Sequence, residues 1–426
     1  MKRVVILCVG LFSVVAGHAQ LSLDECRRLA RENYPEIRQY DLVHQTEQYN
    51  LSNAARAWIP QLAFSAQATW QTDAPNFPKE LTSMLAQQGL EIPGLRKDQY
   101  KVALELNQTI WDGGKSVADK RIARAEAAEQ KTMTDVDLYE LEGRVDDLYF
   151  GILLLDERIA QTNLTLNLLR SNLEKVRALQ RNGVAMQSDA DVLEAELLSV
   201  GQQLIQFESS CDSYRRMLGI FIGQKVGDRK LQRPSAVQPL SGESARPELA
   251  MFAAKIDRLT AQEKMVKSSS MPHLGFFAQG YYGYPGLDYM QSMMNNDWSW
   301  NAMLGVKLSW NFGAYYTQKN NLNKLRTSRQ QVEVQRDVFL FNMNLQAAQE
   351  NGDIARLRKA IADDDRIVAL RRSVREAAES KLRNGIIDTH DLLSKITDES
   401  TASMARSMRE IELLKAIYEY KHTINR

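Results

Sequence analysis

The sequence predicts a mainly α-helical protein with a minor β component able to cross a membrane, built as two tandem repeats of one unit. Three observations carry this. Pro35-Glu36-Ile37 recurs as Pro247-Glu248-Leu249, and Pro60-x-Leu62-x-Phe64-x-Ala66-Gln67 recurs at the same offset as Pro272-x-Leu274-x-Phe276-x-Ala278-Gln279. Each copy holds an unbroken helical pattern of roughly 70 residues, a rod on the order of 100 Å that no single globular core uses. Each copy also holds a pair of segments whose apolar residues alternate with period two.

Over 426 residues, 44% apolar and 25% charged, the formal charge is +1. That balance excludes a basic field for nucleic acid and an acidic tail. At the start, Lys2 and Arg3 precede the apolar run Val4 to Val15, and small residues lead to Ala19 before Gln20. This reads as a secretory signal over 1–19, with the mature chain starting near Gln20. Cys8 lies inside the apolar run, so no lipoprotein anchor is expected, and removing the signal leaves Cys26 and Cys211. No later stretch reaches the roughly 20 apolar residues of a spanning helix. A membrane form must then be a closed β-barrel, which alone among sheets satisfies its backbone in lipid.

The first repeat is read over 20–231: a helix at about 23–58, strands at about 60–74 and 98–111, a long helix at about 114–182, and a return helix at about 188–218. A linker containing Pro, Ser and Gly covers 232–246. The second repeat, 247–426, has a helix to about 268, strands at about 272–284 and 298–311, a long helix at about 314–384, and a return helix at about 388–422. In the first rod Leu138, Leu141, Val145, Leu148, Ile152, Leu155 and Ile159 step by three and four, and Leu166, Leu169, Leu173 and Val176 continue the seam. Ile367, Leu370, Val374 and Ala377 do the same in the second. Asp112 and Asn311 suit the N-caps, while Gly183 and Gly385 suit the left-handed turn past each rod. Ser188-x-x-Asp191 and Asp388-x-x-Asp391 suit the starts of the return helices.

In the strands, Leu62, Phe64, Ala66, Ala68 and Trp70 share one face, as do Tyr100, Val102, Leu104 and Leu106. Trp298, Trp300, Ala302, Leu304, Val306, Leu308 and Trp310 oppose Ser299, Asn301, Met303, Gly305, Lys307 and Ser309. The third strand is aromatic on both faces. Runs near ten residues match a tilted spanning strand. Every tryptophan lies in or beside these segments; Trp70, Tyr100, Trp111, Trp298, Trp300 and Trp310 are the expected membrane-girdle aromatics. Lys101, Glu105 and Lys307 on the opposite face suit a wet lumen. Four strands cannot close a membrane barrel, so the membrane form must be an oligomer.

Chemistry-bearing patterns are sparse. Gly113-Gly114 lacks the lysine and spacing of a phosphate loop. Asp363, Asp364 and Asp365 point in different directions on a helix and read as a charge run. His44, His273, His390 and His422 have no metal-ligand spacing, and no nucleophile-elbow pattern occurs. No enzyme activity, metal or cofactor is expected.

Leu21-Ser22-Leu23-Asp24-Glu25-Cys26-x-x-Leu29-Ala30 with Asn33-x-Pro35, the Pro-x-Leu strand starts, the duplicated strand-strand-rod unit and the Asn-Gly turns together resemble TolC-type outer-membrane efflux proteins. The resemblance spans essentially the whole mature chain. It implies a homotrimer in the outer membrane, each subunit giving four strands to a 12-stranded barrel above a periplasmic α-barrel with an equatorial belt. It also implies a passive duct for efflux or type I secretion, working with a periplasmic adaptor and an inner-membrane transporter of RND or ABC type, and no nucleic acid. By the same resemblance, Asn182-Gly183-Val184 and Asn384-Gly385-Ile386 are adaptor-contact tips, and Asp391 belongs to a ring narrowing the periplasmic entrance. Asp189 is its first-repeat counterpart, or a helix cap. The family's tyrosine and arginine entrance lock is replaced here by Leu382 and Ile387, so the closing contacts differ. Cys26 and Cys211 should both reach the belt, either bonded in an oxidising periplasm or as two unpaired core cysteines. The rival reading is an exported coiled-coil scaffold or adhesin that never enters the bilayer.

Overall fold

The computed structural model describes residues 20–235, 244–384 and 386–425. The expected signal at 1–19, linker residues 236–243 and the tip residue Gly385 lie outside the described residues. In order, the first half comprises α1 Leu23–Asn33, a 3-10 turn Pro35–Arg38, α2 Gln39–Arg56, β1 Gln61–Trp70, α3 Lys79–Gln87, β2 Asp98–Trp111, α4 Lys115–Arg181 and α5 Gln187–Ile222. The second comprises α6 Pro247–Ser268, β3 His273–Tyr284, α7 Tyr289–Asn295, β4 Ser299–Ser309, α8 Ala314–Arg383 and α9 Thr389–Ile424.

The helix expected to run unbroken over 23–58 is interrupted. Tyr34 is extended, at φ −68° and ψ 128°, because the Pro35 ring disfavours helical backbone in the residue before it. Two short helices, α3 and α7, lie in the strand-connecting loops, where the sequence predicts none. The first return helix begins at Gln187 and not at the Ser188 cap: Met186 is the N-cap residue, and the Asp189 carboxylate accepts from its backbone N–H at 2.8 Å.

The chain divides into two compact units, each drawing on both repeats. One holds the segments up to Gln39, Thr132–Ala250 and Arg336 onward; the other holds Tyr40–Lys131 and Met251–Gln335.

In the first unit, Ser22 caps α1, whose buried Leu23, Cys26 and Ala30 pack toward α5. The Asn33 side-chain amide donates to Ile220 O at 3.1 Å and Phe221 O at 3.0 Å, satisfying carbonyls that the end of α5 leaves open. Gly223 completes that end at φ +70°, and a Cβ there would meet Asn33 Oδ1 at 2.6 Å. A parallel bridge pairs Leu21 with Leu231, and Tyr149 Oη lies 2.8 Å from Leu21 O and 2.6 Å from Gln232 O. Leu138, Leu141, Val145, Leu148, Ile152, Leu166, Leu169, Leu173 and Val176 of the α4 seam are buried. The α8 seam differs: Ile367, Leu370 and Val374 are exposed, and α8 instead buries Ile354 and Leu357 against Ala416 and Ile417 of α9.

The second unit contains one antiparallel sheet of order β1-β2-β3-β4. Its central pair, β2 and β3, joins the two repeats. Asp112 accepts from Gly114 N at 3.0 Å and Ser116 N at 2.6 Å, turning the chain from β2 into α4. Asn311 Oδ1 accepts from Gly313 N at 3.0 Å at the equivalent turn.

Candidate functional site: an apolar sheet face and two hairpin tips

Residues paired across an antiparallel sheet share a face. Leu62 pairs with Leu106, and Leu106 with Ala278, which pairs with Leu304. One row along, Phe64, Leu104, Gly280 and Ala302 align, and then Ala66, Val102, Tyr282 and Trp300. Every member of these rows is apolar or aromatic. Most of them are bare: Leu304 is 75% exposed, Phe64 73% and Trp300 83%, while Leu106 and Ala278 are half-buried. Contiguous exposure of this kind marks a surface meant for an apolar partner. The register resolves the third strand as well, placing Phe276, Ala278, Gly280 and Tyr282 on this face and His273, Gly275, Phe277, Gln279 and Tyr281 on the other.

Aromatic side chains bound the apolar rows. At the end nearer α3 and α7, the Tyr100 and Trp298 rings stack at 5.6 Å, Tyr282 meets Trp298 at 5.4 Å, and Tyr282 meets Trp300 at 5.1 Å; Trp70 ends β1. At the other end stand Trp111 and Trp310, with Trp310 against Phe312 at 4.8 Å and its Nε1 donating to Ser270 O at 3.0 Å. Tyr282 and Phe312 belong to these groups although the sequence does not single them out; their position in the alternation is the available signal.

The opposite face is polar. Lys101 Nζ donates to Gln279 Oε1 at 3.0 Å and lies 4.6 Å from the Tyr281 ring centre, while Gln279 Nε2 donates to the Glu105 carboxylate. Among the described residues no helix is long and apolar enough to cross a membrane.

In the other unit, the α4–α5 and α8–α9 hairpins turn alike. Val184 N donates to Leu179 O at 3.0 Å and Ile386 N to Lys381 O, also at 3.0 Å, a six-to-one bond that closes a helix end. Gly183 takes φ +73°, as that turn requires. Asn182, Val184, Asn384 and Ile386 are exposed at the two turns. Behind them, one apolar cluster gathers Leu166, Leu169, Leu173 and Val176 of α4, Ala190, Leu193 and Val200 of α5, Ala378 of α8, and Leu392 and Ile396 of α9, with Leu382 and Ile387 packed against it. Ion pairs flank the cluster: Lys175 to Glu379 at 3.3 Å, Arg372 to Glu399 at 3.0 Å, and Arg375 to both Glu379 and Glu399. Burial opposes ionisation of Glu379, yet the Arg375 hydrogen bond and Lys175 hold its carboxyl below the ordinary carboxylate range. Asp391 is exposed in the first turn of α9, its backbone N–H bonded by Asp388 at 2.8 Å. Of the aspartate run, Asp364 pairs with Arg409 and Asp365 with Arg406.

Cys26 and Cys211 are both buried and stand as free thiols in this structure. Cys211 Sγ lies 3.3 Å from Asp156 Oδ1 and 3.3 Å from Arg215 Nε. Burial, with Glu25 and Asp146 nearby, pushes the Cys26 thiol up to about 12. Among the described residues no His, Cys, Asp and Glu cluster could hold a metal ion.

Residues 27–223 match the sequence pattern of the outer membrane efflux protein family. The fold is similar to that of the outer-membrane channel OprN, with a TM-score of 0.70 and 14% identity over 94% of this chain and 89% of that one. It is similar to the outer membrane protein VceC of Vibrio cholerae, with a TM-score of 0.68 and 13% identity over 94% of this chain and 95% of that one. The outer membrane channel MtrE of Neisseria gonorrhoeae, in its open state, gives a TM-score of 0.64 and 13% identity over 94% and 88%. A search by sequence among curated proteins finds no match.

Proposed function

We propose that this chain, whose residues 27–223 are those of the outer membrane efflux protein family, is one protomer of a trimeric, passive exit duct. The family match and the fold support a place in the outer membrane, reaching into the periplasm, and a channel's role. In the duct, three copies each contribute four strands to a single barrel. The α4–α5 and α8–α9 tips receive a periplasmic adaptor, and an inner-membrane transporter supplies the energy. Solute movement through the duct itself is downhill, so no catalytic group is needed.

One observation carries the reading: the sheet is apolar and bare on one face, polar on the other, and its edge strands β1 and β4 each have a single neighbour. In lipid an unpaired edge leaves backbone donors and acceptors unsatisfied at several kcal/mol each, so the edges must pair with further copies until the sheet closes. The exposed Ile367, Leu370 and Val374 on α8 fit the same conclusion, because a periodic apolar seam without a partner in its own chain asks for one in another. A scaffold that stayed in water would expose the strand face for no gain.

Extraction from outer membranes in detergent, followed by mass measurement and planar-bilayer recording, tests this. The expected result is a particle of three chains that conducts, with conductance abolished by deleting residues 60–111. A water-soluble monomer would overturn it.

A further inference from the structure

We propose that Lys307 biases the membrane-level section of the duct toward anions. This rests on the channel reading and adds what that section favours.

The argument starts from the charges on the polar sheet face. β1 offers only Gln61, Ala63, Ser65, Gln67 and Thr69 there. β2 offers Lys101 and Glu105, joined through Gln279, whose carbonyl accepts from Lys101 and whose amide donates to Glu105. A cation and an anion held at the two ends of one side chain largely cancel beyond their own neighbourhood. β3 adds no aspartate, glutamate, lysine or arginine on this face. β4 adds Lys307 alone. Among the described residues no ion pair reaches Lys307. Each copy therefore presents one uncompensated positive charge to the wet side.

The surroundings keep that charge clear of the wall. Lys307 is exposed, and its cross-strand partner is Gly275. Two residues before it on the same face is Gly305, where an added Cβ would come within 3.0 Å of the Phe277 ring. Lys307 lines a concavity of about 640 Å³ whose lining also includes Glu105, Phe277, Gln279 and Met303. Glu105 of the same concavity is bonded to Gln279, and among the described residues no carboxylate pairs with Lys307, so the field of the lysine reaches into the water. Closing the sheet by symmetry repeats the lysine as a ring at one depth, and rings of lysine or arginine favour anions in a pore. Asp391 lies in the other unit and stays constant in every comparison below.

The test is the reversal potential of the full-length protein in planar bilayers under a potassium chloride gradient, for wild type, Lys307→Gln and Lys307→Glu. At an ionic strength of about 0.01 M the screening length is about 30 Å, enough to span a small lumen, and at about 1 M it is about 3 Å. The chloride-to-potassium permeability ratio is expected to fall from wild type to Lys307→Gln and further to Lys307→Glu, by roughly twofold or more overall at low salt, with the differences collapsing at high salt. Equal ratios in all three conducting proteins would overturn the inference and leave the channel reading in place. No conductance from the wild type would remove both. Lys307→Gln keeps the test open if the reversed charge hinders assembly.

Discussion

His422 is the residue on which burial and charge act most visibly together. Its ring stacks on Tyr139 at 4.1 Å, and a Cβ at Gly143 would come within 3.1 Å of its Nε2. Burial, then Arg246 and Arg27, lower its pKa from 6.5 to about 4, with Asp147 opposing. A base whose folded pKa is depressed takes up its proton more readily in the unfolded chain. The stability it contributes is therefore complete above about 6.5 and is lost as the pH falls toward 4. A tenfold change in proton affinity is worth about 1.4 kcal/mol; with a discount for the ring's remaining solvent contact, about 2 kcal/mol per chain is at stake. Thermal melting in detergent between pH 7 and pH 4 should show a steep acid loss in wild type and a shallower one in His422→Phe, which keeps the stack but cannot charge. Parallel pH profiles would show that the imidazole is not responsible. The cysteines give a second prediction at this scale. Unfolding without reductant should release two titratable thiols per mature chain, and the native protein should hide Cys26 from alkylation. Finding no thiols would mean that a disulfide forms after all.

Among the elements, the sheet makes the sharpest prediction because adjacent residues on β4 meet opposite surroundings. Leu304 lies mid-strand on the bare apolar face, and Met303 lies beside it on the polar face. Leu304→Arg should cost about 2–4 kcal/mol of folding in bilayers, the expense of a cation near the bilayer midplane, whereas Met303→Arg should stay within about 0.5 kcal/mol. Urea titration of vesicle-inserted protein reads both, and equal costs would mean that the apolar face does not meet lipid. At the tip, Gly183→Ala should cost about 1 kcal/mol through backbone strain alone, since nothing lies within 4 Å of a Cβ there. Much of this layout is legible in the chain: alternation marks β1, β2 and β4, and Asn-Gly turns mark the ends of the rods. Alternation cannot sort β3, whose glycines and aromatics occupy both faces, until its pairing with β2 and β4 supplies the register. Pro35 carries the signal for the break between α1 and α2, but the helical pattern on either side masks it. The seven-residue α7 and nine-residue α3 are too short to show a helical period at all.

At the scale of the whole molecule, periodicity finds an apolar seam without saying whose partner fills it. The α4 seam is filled within the chain, and the Ile367, Leu370 and Val374 seam of α8 is exposed, free to meet another copy in the proposed trimer. The same ambiguity surrounds the proposed periplasmic entrance. Leu382 and Ile387, where the family resemblance would put an aromatic and a cationic lock, pack instead on an apolar cluster shared by both hairpins. Lys175 of α4 and Glu379 of α8, 3.3 Å apart, form a direct ionic tie between those hairpins near their ends. Apolar packing holds the ends together whatever the salt, while the ionic tie adds a part that charge can tune. Lys175→Glu would set two carboxylates face to face and push the hairpins apart at about 1 kcal/mol, the scale of a partly exposed pair, or roughly a fivefold shift toward the separated arrangement. In planar bilayers that should appear as more frequent high-conductance openings, with Lys175→Gln intermediate and the effect of both variants shrinking as salt rises. Openings unchanged in both variants would mean that the Lys175–Glu379 tie does not help hold the hairpin ends together.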